Sequence, residues 1–193
     1  PVIQGCWIKE NTAQYGGGIA VQTSASPAVL YSTLSENTAE YGGALAIVGC
    51  STPSVTGCTL VLNRGTVHGG GISISTGTTL SVGTTIIAFS PDGEAIASDG
   101  ELVSCTTTAV YGNAGGDWVA AITGQEGGNN NVATDPFLCG GLTGDYTLCE
   151  ESPCLPGNNG AGVYIGASGQ GCSAPCGSPV EAKSWGSIKA LYR

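Results

Sequence analysis

Residues 10–20 spell ENTAQYGGGIA, and residues 36–46 spell ENTAEYGGALA, the same phrase 26 positions later. The register holds when the phrase is extended. CWIKENTAQYGGGIAV begins at Cys6, STLSENTAEYGGALAI at Ser32 and CTLVLNRGTVHGGGISI at Cys58. Three rows of equivalent residues emerge: Asn11, Asn37 and Asn63; Cys6, Ser32 and Cys58; Ile8, Leu34 and Leu60. The third copy holds one extra residue before Gly69. A second register agrees, since Ser26-Pro27 and Thr52-Pro53 also stand 26 apart.

A repeat of roughly 20–50 residues marks a stack of similar units, each burying its apolar face against the next. Inside each unit, Ile19-Ala20-Val21, Leu45-Ala46-Ile47 and Ile72-Ser73-Ile74 alternate with the period of two that belongs to strands. Asn and Gly turns separate these segments, and helical periodicity is absent until the last ten residues. The expected fold is all-β: a parallel β-helix, or β-solenoid, with coils of about 26 residues. Equivalent side chains then stack about 4.8 Å apart. The Asn row is expected to occupy the left-handed turn conformation and to pass amide hydrogen bonds along a ladder. The glycine triplets turn the next corner without Cβ clashes.

Composition narrows the function. A formal charge of −9, from 14 acids against 5 bases, leaves no basic stripe for phosphates, so nucleic acid is not an expected partner. No apolar run approaches the roughly 20 residues of a membrane span. Methionine is absent even at position 1, which implies processing or a longer product. Nine cysteines fit an oxidising compartment, and disulfides are expected among Cys139, Cys149, Cys154, Cys172 and Cys176. Cys6 and Cys58 lie two coils apart, about 9.6 Å, too far for a bond that needs Cα atoms within roughly 7 Å. With His68 the single histidine, no metal site and no cofactor are expected.

The phrase N-x-A-x-x-GGG(I/A), seen at Asn11 and, with Gly42-Gly43-Ala44 for the triplet, at Asn37, resembles the right-handed parallel β-helix repeat proteins of bacterial envelopes and secretions. TIIAFS (85–90), YGNAGGDW (111–118), DPFLCGGLTGDYTLCEESPC (135–154) and IGA (165–167) are similar to the closing coils of that family. The resemblance covers roughly residues 1–177 and implies a secreted or surface location. Its members include adhesins, lyases and surface proteins, so it constrains fold more than function. On this organisation, residues 1–115 are regular coils and residues 116–177 cysteine-rich closing coils, with GQEGGNNN (124–131) a flexible loop.

Candidate chemistry is sparse. Glu10 and Glu36 share one coil position, with Glu40 four residues on; they form either a carboxylate pair of glycosidase type or solvated corner residues. A lyase needs Lys or Arg, and the coils offer only Lys9 and Arg64 at unrelated positions. Asp92, Glu94, Asp99 and Glu101 lie in a stretch whose SPDGEA reads first as a turn. His68 beside Gly69 reads as a corner residue. Trp7, Tyr15, Tyr41, Trp118 and Tyr146 are aromatic candidates for a sugar platform, and Tyr15 and Tyr41 stack in register; packing beside the glycine corner is the alternative.

Residues 178–193, SPVEAKSWGSIKALYR, differ from the rest. Residues 1–182 hold all 14 acids and two bases, a balance of −12 against +3 for the remainder. Trp185, Ile188, Leu191 and Tyr192 give this tail an apolar face beside Lys189 and Arg193. The expected protein is a non-catalytic extracellular structural or interaction subunit. Head-to-tail self-association through the tail would build a filament, with other surface proteins as further partners. The alternative is a carbohydrate-binding or carbohydrate-active β-helix using Glu10, Glu36, Glu40, Tyr15 and Tyr41.

Overall fold

The computed structural model describes residues 1–22, 25–49, 52–75, 77–140 and 143–176, so the expected assembly tail and its Trp185, Ile188, Lys189, Leu191, Tyr192 and Arg193 lie outside the described residues. The chain winds into a parallel β-solenoid of about six turns, as the repeat demands. Each regular coil lays down one short strand on each of four faces. The first face stacks Val2–Gln4, Ala28–Leu30, Ser54–Thr56, Thr79–Gly83 and Leu102–Thr106. The second stacks Trp7–Lys9, Thr33–Ser35, Thr59–Val61, Ile86–Ala88 and Ala109–Tyr111. The third holds Thr12–Tyr15, Thr38–Tyr41 and Arg64–His68, and the fourth Ile19–Gln22, Leu45–Val48, Ile72–Ile74 and Ile96–Ser98. Pairing follows the sequence register, with Ile8, Leu34 and Leu60 aligned and Ile87 and Val110 continuing the row. This aliphatic column is the axis of the core.

The corners explain the repeated phrase. Each left-handed residue directly precedes the ladder residue: Glu10, Glu36, Leu62 and Phe89 have φ of 57–58°. The expectation that Asn itself adopts that conformation is therefore corrected. A non-glycine residue there costs roughly 1–2 kcal/mol, and in the first three coils the Asn that follows offsets it through side-chain bonds. Asn37 donates from Nδ2 to the Ile8 carbonyl (2.9 Å) and to Asn63 Oδ1 (3.0 Å). Its own Oδ1 accepts from the backbone N–H (3.1 Å) and Nδ2 (3.0 Å) of Asn11. Asn63 repeats the pattern toward Leu34 and Asn37, and both residues are fully buried. A second ladder occupies the preceding corner: the Cys6 N–H donates to Ser32 Oγ (3.2 Å) and the Cys58 N–H to Thr85 Oγ1 (3.3 Å). At the third corner Gly42 has a φ of 69°, and a Cβ there would collide with the Leu45 carbonyl.

The repeat is not uniform. The extra residue of the third copy is absorbed as a bulge between Gly65 and His68, which re-aligns His68 with Tyr41. Later ladder steps shorten to 23 residues, from Ser90 to Asn113 and from Thr108 to Asn131, and the third-face strand disappears from those coils. The segment expected to be a flexible loop completes a coil. Gln125 accepts from the Cys105 N–H (2.8 Å) and donates to the Val103 carbonyl (2.8 Å), covering the edge of the last first-face strand. Asn131 extends the ladder.

Residues 135–176 correct the expectation of closing coils. They leave the stack and lie along the outside of the second face. Val61, Ile86, Ala88 and Ala109 there form a buried cluster with Leu138, Tyr146, Leu148, Cys154, Leu155 and Ile165. Polar ties reinforce the layer, from the Gly166 N–H to the Thr84 carbonyl (2.7 Å) and from the Ala167 N–H to Thr59 Oγ1 (2.9 Å). Two disulfides, Cys139–Cys172 and Cys149–Cys176, cross-link this layer to itself. Cys154 is the correction to the expected set: it is a free, fully buried thiol filling the apolar contact. Cys6 and Cys58 are both free, as their two-coil separation requires.

Two outcomes follow from these contacts. Replacing Asn37 by Ala removes four side-chain hydrogen bonds, whereas Asn11→Ala removes two on the exposed first coil. At about 1 kcal/mol per bond, Asn37→Ala should cost about 2–4 kcal/mol in urea unfolding and Asn11→Ala clearly less; equal losses would contradict the ladder. Burial pushes the Cys154 thiol up to about 12, and thiolate is the reactive form. In native protein at neutral pH, iodoacetamide should therefore label exposed Cys6 and spare Cys154, with mass spectrometry recovering Cys139–Cys172 and Cys149–Cys176. Fast native labelling of Cys154 would contradict the packing.

Candidate functional site

The stacked register that builds the core also organises the surface. On the fourth face, Ala46, Ser73 and Ala97 are aligned on adjacent coils between the inward Leu45, Ile72 and Ile96 and the inward Ile47 and Ile74. These small outward residues leave a depression. Along one side the aromatic ends of the third-face strands rise as a row. Tyr15 and Tyr41 stack with centroids 5.1 Å apart and planes 12° from parallel, and His68 follows at 6.1 Å, tilted by 40°. Ser75, Glu94, Ser98, Asp99 and Ala120 complete the walls of a cleft of about 540 Å³, within the usual roughly 300–1,000 Å³ range of ligand sites.

Glu94 is fixed at its place. One carboxylate oxygen accepts from the Gly69 N–H at the glycine corner (3.0 Å), and the other stands 3.8 Å from His68 Nδ1. The Tyr row presents ring edges and partial faces to the cleft, because much of each face is taken up by its neighbour. The packing reading and the surface reading of Tyr15 and Tyr41 thus describe one arrangement. Among the described residues, no Lys or Arg lines the cleft.

The carboxylates singled out from sequence are dispersed among separate partners. Glu10 pairs with Lys9 (3.0 Å), whose ammonium also sits 5.8 Å from the Trp7 ring centroid. Glu36 accepts from the Tyr146 hydroxyl (2.8 Å), and Glu40 accepts from Gln14 (3.2 Å). Glu10 and Glu36 are thus held by different partners, an ammonium and a phenol. Arg64 binds Asp92 through two nitrogens, at 3.1 and 3.0 Å. Among the described residues, no group of three or more His, Cys, Asp or Glu is placed to hold a metal ion.

The aromatic candidates also divide. Tyr146 reaches across from the outer layer to meet Trp7 edge-on at 6.4 Å, while Trp118 packs against the main core. Neither belongs to the cleft. The cleft residues that sequence reading left unassigned are Ala46, Ser73, Ala97, Ser75 and Ser98. For Ala46 and Ser73 the signal was present as the small central residue of the alternating triplets. Comparison with family models, curated proteins and solved structures gave no match.

The Tyr146–Glu36 contact has a pH signature. Burial, then the Glu36 hydrogen bond and charge, push the Tyr146 phenol up to about 12 from an ordinary 10.0. Between those values the unfolded chain has released this proton and the folded chain retains it. Stability should therefore be complete below pH 10 and decline as pH rises toward about 12. Tyr146→Phe should flatten that decline in denaturation curves; an unchanged slope would show that the phenol is not held this way.

Proposed function

We propose that this chain is a non-catalytic extracellular recognition protein of the bacterial secreted β-solenoid type, and that its cleft binds a carbohydrate. The observation that carries this reading is the Tyr15–Tyr41–His68 row flanking a floor of small residues, with Glu94 anchored at the wall. Sugars need apolar ring contact together with fixed hydrogen-bonding groups, and the cleft supplies tyrosine edges and hydroxyls, serines and carboxylates. The backbone beneath is rigid, because every coil is paired to the next. Two disulfides support the extracellular part of the reading. Binding without turnover is favoured because Lys9 and Arg64 are paired with Glu10 and Asp92, and Glu36 is held by the Tyr146 hydroxyl.

Tyr15→Ala is the direct test, since the side chain lies on the outermost coil and its loss leaves the buried ladders intact. Calorimetric titration with oligosaccharides should show affinity falling about tenfold or more, equivalent to about 1.4 kcal/mol, at an unchanged melting temperature. Equal affinity in the variant would reject the cleft as the site.

A second reading is favoured by one observation. On the first coil the inward positions Cys6, Asn11 and Ala13 are exposed, whereas their equivalents Ser32, Asn37 and Ala39 are buried. A further coil, whichever chain supplies it, would complete those ladders. Head-to-tail assembly of this protein predicts that deleting residues 181–193 leaves a folded monomer; persistence of polymers after that deletion would exclude the tail as connector.

A further inference from the structure

Charge complementarity narrows the ligand of the cleft. Glu94 and Asp99 both line it, and among the described residues the one basic side chain there is His68, 3.8 Å from Glu94. The surrounding chain is itself acidic, with a formal charge of −9. A uronate or sulfated sugar would bring like charge into this cleft, with no Lys or Arg among the described lining residues to receive it. A neutral sugar would satisfy the serines and tyrosine hydroxyls but would bring no charged donor to the two carboxylates. A protonated amine on the sugar ring gives each carboxylate a charged donor, and such bonds are roughly twice as strong as neutral ones.

The floor of the cleft argues against a peptide. Leu45–Val48 and Ile72–Ile74 are each paired on both sides, so these two floor strands offer no edge to an added peptide strand, and Ile96–Ser98 ends the sheet. Only side chains face the ligand, which suits an oligosaccharide lying across the coils. Resting on the carbohydrate reading above, we infer that the cleft selects amino sugars carrying free, protonated amines, held by Glu94 and Asp99 beside the Tyr15–Tyr41 row.

The experiment is calorimetric titration of the full chain with four probes: a β-linked glucosamine tetramer, its N-acetylated counterpart, a galacturonate tetramer and a lysine tetrapeptide. The glucosamine tetramer should bind about tenfold more tightly than the acetylated one, and the uronate should not bind. Added salt should narrow the preference, and so should Asp99→Asn, an exposed position whose change leaves the coils intact. Equal binding of the acetylated and free-amine tetramers, both sensitive to Tyr15→Ala, would overturn the amine selectivity while leaving the carbohydrate site standing. Preference for the uronate would likewise overturn it. Lysine tetrapeptide binding as tight as the glucosamine tetramer would show that charge alone is read and would overturn the sugar class. Binding of none of the probes would overturn both readings together.

Discussion

The constraint on which the rest of the structure depends is the corner between the second and third faces. There the chain must turn with a residue in the left-handed conformation, and Glu10, Glu36, Leu62 and Phe89 all do so without being glycine. The cost of each turn is about that of one or two hydrogen bonds, and after Glu36 and Leu62 the buried Asn37 and Asn63 supply several. Because Asn37 bonds to the coil on either side and Asn63 to the coil before it, the same side chains that offset corner strain also lock coil to coil at the strand spacing. A sequence that repeats this pair every 26 residues must repeat everything between, which is why inward aliphatics and outward surface residues both fall into rows.

The surface cleft is a by-product of that discipline. Tyr15 and Tyr41 stack because the ladder places them one coil apart, and the bulge between Gly65 and His68 returns His68 to the same row despite an inserted residue. Ala46, Ser73 and Ala97 form a floor for the same reason. A flat array of this sort changes little in shape on binding, since any displacement would have to break ladder bonds in two coils at once.

Much of the solenoid was legible in the sequence, because identical phrases at a fixed step admit few architectures. The Asn and Cys/Ser rows, the inward triplets and the separation of Cys6 from Cys58 all follow from the step alone. The step lost its force where it shortened. Asn113 and Asn131 continue the two ladders at 23-residue spacing, so a register of 26 skips past them. The outer layer was harder still, because it packs on the solenoid from outside and shares no period with it. One signal did exist: Ile86, Ile87 and Ala88 form an unbroken apolar run, where a strand wet on one side alternates. All three are fully buried, Ile87 toward the core and the other two beneath the outer layer. Cys154 belongs with them. Its spacing suggested a disulfide partner, yet the apolar cluster around it uses the thiol as packing volume. The cleft was half visible, since the Tyr pair could be aligned by eye whereas the carboxylate that joins it, Glu94, enters only after the coil has shortened.

The central claim is that side-chain amides of the Asn ladder, rather than the strands alone, hold successive coils together. Native-state hydrogen exchange measures this most directly, because the backbone N–H groups of Asn37 and Asn63 are judged against those of the strands beside them. The Asn37 N–H donates to the Asn63 side chain at 3.1 Å, outside any backbone ladder. Protection equal to that of the Leu34 and Leu60 amides, lost together in one global opening, is the result this account predicts. Exchange of the Asn37 amide through local opening, while the strand amides stay protected, would contradict it.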